Sequence, residues 1–166
     1  MIWTASELEK YELCDKEDCI SHLKEYVLTD TVLFFSEKAE LYARQKQCWQ
    51  PYIAFFNAAV GTSFLPTKEL LIPQSNQAQT TIFQQYLQGM FHKELVALYL
   101  AATELRSPIL GFSLCKNQEY STKQIVSAAF LEQKFQEEYW GTMENSAKKY
   151  EEIVINLAEI RKFLQK

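Results

Sequence analysis

The sequence predicts an all-α fold, a compact bundle of about seven helices. Glycine is scarce, with only four among 166 residues, although strand-rich folds and phosphate-binding loops both need it. Apolar side chains recur at three- and four-residue steps along most of the chain, which is the spacing of one helix face. Hydrophobic residues make up 48% and charged residues 23% of the chain, as in ordinary globular proteins. We therefore expect a single helical domain over residues 1–166.

The first half of the chain predicts two helices followed by a loop. Residues 15–28 and residues 37–60 both repeat apolar side chains at helical spacing. Pro51 removes one backbone donor from the second of these helices, so we expect a kink or a break near Cys48. Residues 62–76 contain two of the four prolines and are predicted to form a loop.

The second half of the chain predicts five more helices, joined by short turns. Pro108 suits the first turn of its helix, because that turn does not use its N–H groups internally. Ser121 or Thr122 is the expected N-cap of the helix that follows. Gly61, Gly89 and Gly141 each follow an apolar run and are predicted to end helices in the left-handed conformation. The predicted helices cover residues 78–88, 91–105, 108–116, 122–140 and 143–164.

Charge and hydropathy exclude several classes of protein. The formal net charge is -4 and basic residues alternate with acidic ones, whereas nucleic-acid binding requires a concentrated basic surface. No apolar run approaches the roughly 20 residues of a membrane-spanning helix. The acidic segment SELEKYELCDKED resembles neither a signal peptide nor a transit peptide. Together with four cysteines that lack the spacing of a disulfide framework, this predicts a soluble intracellular protein.

The sequence offers little for metal binding or catalysis. Cys14, Cys19 and His22 form a C-x4-C-x2-H pattern, which lacks the fourth ligand of a structural zinc site. His22 and His92 are the only imidazoles, and neither belongs to a recognisable pairing of nucleophile and base. We expect no metal, no cofactor and no enzymatic activity, although an acid/base hydrolase stays an alternative for an acid-rich chain.

Polar residues inside the apolar stripes are the candidates for binding. Asp30 is favoured as an N-cap or turn residue, with a functional role as the alternative. Glu132 and Gln136 lie one helical turn apart, so they form either a solvated flank or a polar patch in a groove that meets a partner. Gln45 lies beside bulky residues in the same way. Trp140 is favoured as a core residue that covers a helix end over a binding hot spot.

Four segments in order resemble one protein family. These segments are TDTVLFF, ARQKQCWQP, ELVALYLAATELRSPILGFSL and LEQKFQEEYWG. They resemble the assembly chaperones of mitochondria and alpha-proteobacteria that act on the alpha subunit of the catalytic head of the F-type ATP synthase. The resemblance extends from about residue 21 to residue 143. Its motif positions are Thr29, Asp30, Thr31, Gln45, Trp49, Pro51, Leu131, Glu132, Phe135, Gln136, Trp140 and Gly141.

The resemblance implies a function, a partner and a set of site residues. The expected function is to bind the free alpha subunit, without a cofactor, in the mitochondrial matrix or the alpha-proteobacterial cytoplasm. A generic helical adaptor that binds an amphipathic helix is the alternative. The expected partner contacts are Glu132, Gln136, Gln133, Asp30 and Gln45, and the expected structural residues are Trp49, Pro51, Phe135, Trp140 and Gly141.

This chain departs from the family pattern at two points. Gln133 stands where the family commonly has Glu. If that position carries the partner contact, this chain has lost the charge, and Glu132 can replace it only if the helix rotates slightly. The family also carries a strand-rich domain before the helical one, for which these residues leave no room. The chain is therefore expected to be the helical part of a longer protein or a shortened member of the family.

Overall fold

The computed structural model describes residues 15–142 and 145–165, and these residues form eight α-helices and no β-strand. The prediction of an all-α fold is confirmed. Cys14, of the predicted C-x4-C-x2-H pattern, and Met143, at the predicted start of the last helix, lie outside the described residues. In chain order the helices are α1 (Lys16–Tyr26), α2 (Ala39–Val60), α3 (Gln74–Gln88), α4 (His92–Leu105), α5 (Pro108–Lys116), α6 (Thr122–Ala129), α7 (Leu131–Trp140) and α8 (Ser146–Gln165).

Helices α4 and α5 form the centre of the core. Eight of the 14 residues of α4 are buried, because this helix is apolar on almost every side. Helix α5 crosses it so closely that a Cβ atom on Gly111 would lie 2.9 Å from the backbone nitrogen of Ala102. Helix α1 packs against α3 and α4, helix α2 against α5, and helix α8 against α4, α5 and α6.

Helix α2 is continuous from Ala39 to Val60, so the predicted alternative of a break near Cys48 is wrong. Pro51 lies inside this helix on its exposed side. The carbonyl that loses its N–H partner on that side can bond to water instead, which makes an internal proline tolerable.

Residues 122–140 form two helices, where the sequence predicted one. The chain leaves the helical conformation at Phe130, with φ -99° and ψ 14°. The indole Nε1 of Trp49 donates to the carbonyl of Ala128 at 2.9 Å. An unbroken helix would pair that carbonyl with the N–H of Glu132. A tertiary contact therefore takes the acceptor that the helix would have used.

The predicted helix ends are confirmed in part. Gly61 ends α2 in the left-handed conformation, with φ 85° and ψ 23°. Gly89 ends α3 at φ -84°, and Gly141 follows α7 at φ 89° and ψ 160°, so the left-handed cap predicted for these two is wrong. Ser121, the first of the two candidate N-caps, accepts from the N–H of Gln124, whose side chain bonds back to it.

Candidate partner-binding surface

Helix α2 bonds to the end of α6 and to the start of α7 through two buried side chains that lie one turn apart. Gln45 is fully buried. Its Oε1 accepts from the N–H of Ser36 at 2.7 Å, and its Nε2 donates to Oε1 of Glu132 at 2.7 Å. Trp49 is fully buried as well and bonds to Ala128. The burial of Trp49 supports the structural role that the sequence predicts for it, and Gln45 and Glu132 are direct hydrogen-bond partners.

Glu132 is a half-buried carboxylate near the start of α7. Burial raises the pKa of Glu132, and the hydrogen bond from Gln45 partly offsets this. No Lys or Arg forms an ion pair with Glu132 within residues 15–142 and 145–165. The hydrogen bond to Glu132 comes from the neutral amide of Gln45, so its charge has no ion-pair partner in the described part of the chain.

Three of the predicted partner contacts line one cleft. Glu132, Gln133 and Gln136 face a cleft of about 610 Å³ whose other walls are the end of α4 and the middle of α8. This volume is in the range of sites that hold a small ligand or a few side chains. The facing residues include Thr31, Thr103, Glu104, Leu105, Arg106, Lys149, Glu152, Ile153 and Asn156.

Glu104 is a cleft residue that sequence reasoning missed. Burial raises the pKa of Glu104, while a hydrogen bond with Asn156 lowers it. The only signal in the sequence for a role of Glu104 is its position in the third resembling segment. The local sequence of a helix end does not predict which other helix will pack near it. The next turn is fixed by Arg106, a left-handed residue with φ 55°, whose carbonyl accepts from the hydroxyl of Thr31 at 2.9 Å.

Asp30 caps two elements from inside the core. Its Oδ1 accepts from the N–H of Val32 at 2.9 Å, and its Oδ2 accepts from the N–H of Ile109 at 2.8 Å. The interpretation of Asp30 as an N-cap is confirmed. Like Gln45, Asp30 is fully buried. The structure therefore corrects the assignment of both residues as partner contacts, because their polar atoms serve internal bonds.

Trp140 is exposed, so the prediction that it fills the core is wrong. Its exposed fraction is 88%, and that of Tyr139 is 60%, whereas Phe135 is buried at 5%. Phe135 packs beneath the guanidinium of Arg44, whose carbon lies 5.1 Å from the ring centre. Helix α7 thus carries a buried aromatic side chain, Phe135, on its inner side and an exposed one, Trp140, at its end.

The remaining candidates stay apart from this cleft. His22 is exposed and stacks edge-on against Tyr26 and Tyr99, while Cys19 is buried. Among the described residues, no three His, Cys, Asp or Glu side chains cluster in a way that could hold a metal ion. None of the described helices is long and apolar enough to cross a membrane.

Solved structures with the same fold include Atp12 from Paracoccus denitrificans. That structure matches with a TM-score of 0.80 and 17% identity, over 89% of this chain and 64% of that chain. An aspartate-to-lysine variant of P. denitrificans Atp12p matches with a TM-score of 0.81 and 17% identity, over 90% and 64%. Atu1473 from Agrobacterium tumefaciens, named as a candidate chaperone, matches with a TM-score of 0.78 and 18% identity, over 91% and 57%.

These matches define the class of fold. It is an all-α fold found within chaperone structures, and in particular the fold of a large part of Atp12. The resemblance seen in the sequence is thus confirmed for the fold. The chain spans less than two thirds of the length of the structures that it matches. No model of a protein family matches the sequence, and no curated protein matches it.

Proposed function

We propose that this chain is an assembly chaperone that binds the free alpha subunit of the F-type ATP synthase catalytic head and prevents its aggregation until beta pairs with it. The observation that carries the proposal is the fold match to Atp12 over about nine tenths of the chain. The four resembling segments support it. The proposed location is the mitochondrial matrix or the alpha-proteobacterial cytoplasm, and the proposed activity is binding without catalysis.

A chaperone of this kind must cover the interface of the free alpha subunit and later release it. An unassembled subunit exposes an interface that is more apolar than the rest of its surface. The cleft supplies polar groups from Glu132, Gln133 and Gln136, which can bond to a client backbone or to a basic side chain. The proposed contacts are these three residues. Binding of moderate affinity suffices, because the beta subunit must displace the chaperone.

The direct test is binding and rescue of the alpha subunit. Purified chain is mixed with free alpha subunit, and both co-purification and light scattering by the subunit are measured. We expect a complex that dissociates when beta is added, together with reduced scattering. A well-folded chain that neither binds alpha nor reduces its aggregation would rule out the proposal. Binding of an unrelated amphipathic helix, with no preference for alpha, would select the adaptor alternative.

Glu132→Gln tests the proposed contact without disturbing the fold. The glutamine oxygen can still accept from Gln45, whereas the charge is removed. We expect alpha-subunit binding to weaken by about tenfold, the size of one partly buried charged contact, with an unchanged or slightly higher melting temperature. Glu151→Gln, at an exposed acid outside the cleft, is the matched control. Equal affinities of both variants and the unmodified chain would remove Glu132 from the contact.

A further inference from the structure

Helix α7 presents one continuous face that extends beyond the cleft. Glu132, Gln136 and Trp140 follow each other at four-residue steps, and such residues share one side of a helix. The first two line the cleft, whereas Trp140 stands past its end. At about 1.5 Å per residue, Trp140 lies about 12 Å along the helix from Glu132.

The end of α7 contacts α2 through residues other than Trp140. Arg44 forms an ion pair with Glu138 at 3.0 Å, and the hydroxyl of Tyr139 donates to Glu40 at 2.8 Å. These contacts fix the end of α7 to the start of α2. The ring of Trp140 is therefore presented to solvent from an ordered helix end. A large exposed aromatic side chain on a fixed support is a frequent anchor of protein interfaces.

Among the described residues, the cleft is lined by more carboxylates than cations. Its lining carries Glu104, Glu132 and Glu152 against Arg106 and Lys149. Glu104 bonds to the amide of Asn156 and Glu132 to the amide of Gln45, and burial raises the pKa of both carboxyl groups. Among the described residues, neither forms an ion pair. Lys149 already attracts Glu104 through space and lowers its pKa. A basic side chain that entered would add to this attraction at Glu104 and would compensate the partly desolvated charge of Glu132.

We propose that the α7 face and the cleft bind one client segment that carries a basic side chain and a bulky apolar side chain about 12 Å apart. The basic group enters the cleft between Glu104 and Glu132, and the apolar group packs on Trp140. Glu104 and Trp140 are the new contact residues. The inference rests on the proposed function, because it describes how the alpha subunit would be recognised.

The test uses Trp140→Ala and Glu104→Gln in the full chain, with free alpha subunit as the probe. Dissociation constants are measured at low and at high salt. We expect Trp140→Ala to bind at least tenfold more weakly at both salt concentrations, because an apolar contact is little affected by salt. We expect Glu104→Gln to lose affinity at low salt and to show a weaker salt dependence.

Two control variants test whether the loss of affinity depends on where the side chain lies and not only on its type. Leu70→Ala removes an apolar side chain that is 97% exposed on the loop between α2 and α3. Glu151→Gln removes an exposed acid from α8 outside the cleft. Both controls are expected to bind like the unmodified chain. The double variant Trp140→Ala/Glu104→Gln should show the sum of the two single losses in free energy, because the sites do not touch.

The outcomes separate this inference from the proposed function. If the unmodified chain binds alpha and Trp140→Ala or Glu104→Gln binds equally well, the inference is wrong and the function stands. If the unmodified chain does not bind alpha, both fall together. A melting temperature of Trp140→Ala well below that of Leu70→Ala would show that the ring is packed, and it would also overturn the inference.

Discussion

Asp30 shows how a single buried carboxylate can organise two helical segments. It accepts the N–H of Val32 in the short turn after α1, and it accepts the N–H of Ile109 at the start of α5. Ser107 accepts the next N–H, that of Leu110, at 3.0 Å. Because Pro108 has no N–H, the first two N–H groups of α5 are those of Ile109 and Leu110. Asp30, 79 positions earlier, accepts the first, and Ser107, directly before the helix, accepts the second.

The first prediction at this scale concerns Asp30→Asn. An amide group can accept through its oxygen alone, so its NH2 would face the N–H of Val32 or of Ile109. We expect the free energy of unfolding in urea to fall by about 1–3 kcal/mol, the cost of one buried unsatisfied donor. Asp15→Asn is the control, because Asp15 is an exposed N-cap at which Asn serves equally well. Equal stability of the two variants would contradict the capping role of Asp30.

At the scale of the element, helix α7 packs one side against its neighbours and exposes the other side to solvent. Its packed side is fixed by the burial of Phe135 and by the ion pair of Glu138 with Arg44 of α2, and Glu132 near its start bonds to Gln45 of α2. Its outer side carries Gln136 and Trp140, which are exposed. Because the helical conformation is interrupted at Phe130, α7 can run in a different direction from α6. It can therefore pack one side on α2 while the other side stays exposed. A single helix over residues 122–140 would continue in one direction.

The crossing of α4 and α5 gives the second prediction. Gly111→Ala adds a methyl group 2.9 Å from a backbone nitrogen of α4, and backbone there cannot move without shifting a helix. We expect a loss of about 1–3 kcal/mol in unfolding free energy, as for other overpacked cores. Gly89→Ala is the matched control, since its Cβ would meet nothing nearer than 3.5 Å and its φ is negative. A neutral Gly111→Ala would show that the two helices separate easily.

At the scale of the whole molecule, three acidic groups are buried more deeply than is usual for their type. Burial raises the pKa of Asp30 to about 7 and raises the pKa of Glu104 and Glu132. Each is an acid that holds its proton more tightly in the folded chain than in the unfolded chain. Their contribution to stability is therefore full below the unfolded pKa of each group, and it is lost as the pH rises through the folded pKa.

The resulting prediction is a pH dependence of stability with an unusual sign. We expect the contribution of these acids to fall as the pH rises from about 4 to about 7, the window between the ordinary and the raised pKa of Asp30. The measurement is the free energy of unfolding in urea across this range. Glu104→Gln/Glu132→Gln should flatten the slope in part, since two of the three groups no longer titrate. A slope that the double variant leaves unchanged would contradict the raised pKa values of both glutamates.

The sequence by itself determined the fold class and most of the helices. The spacing of apolar residues in α2, α4 and α5 is a local property, and so are the caps at Ser121 and Gly61. Local patterns of this kind predict where a helix lies and which side of it is apolar. They also suggested the Glu132, Gln133 and Gln136 group, which lines the cleft.

The tertiary structure decided which side chains are available to a partner. The bond from Trp49 to Ala128 spans 79 residues, and no local pattern encodes the helix break that accompanies it. The burial of Asp30 and Gln45, the exposure of Trp140 and the approach of Glu104 to the cleft depend likewise on how distant helices cross. Helical periodicity is set within one segment, whereas burial is set by the neighbour that a segment meets, and that neighbour is fixed only when the whole chain has packed.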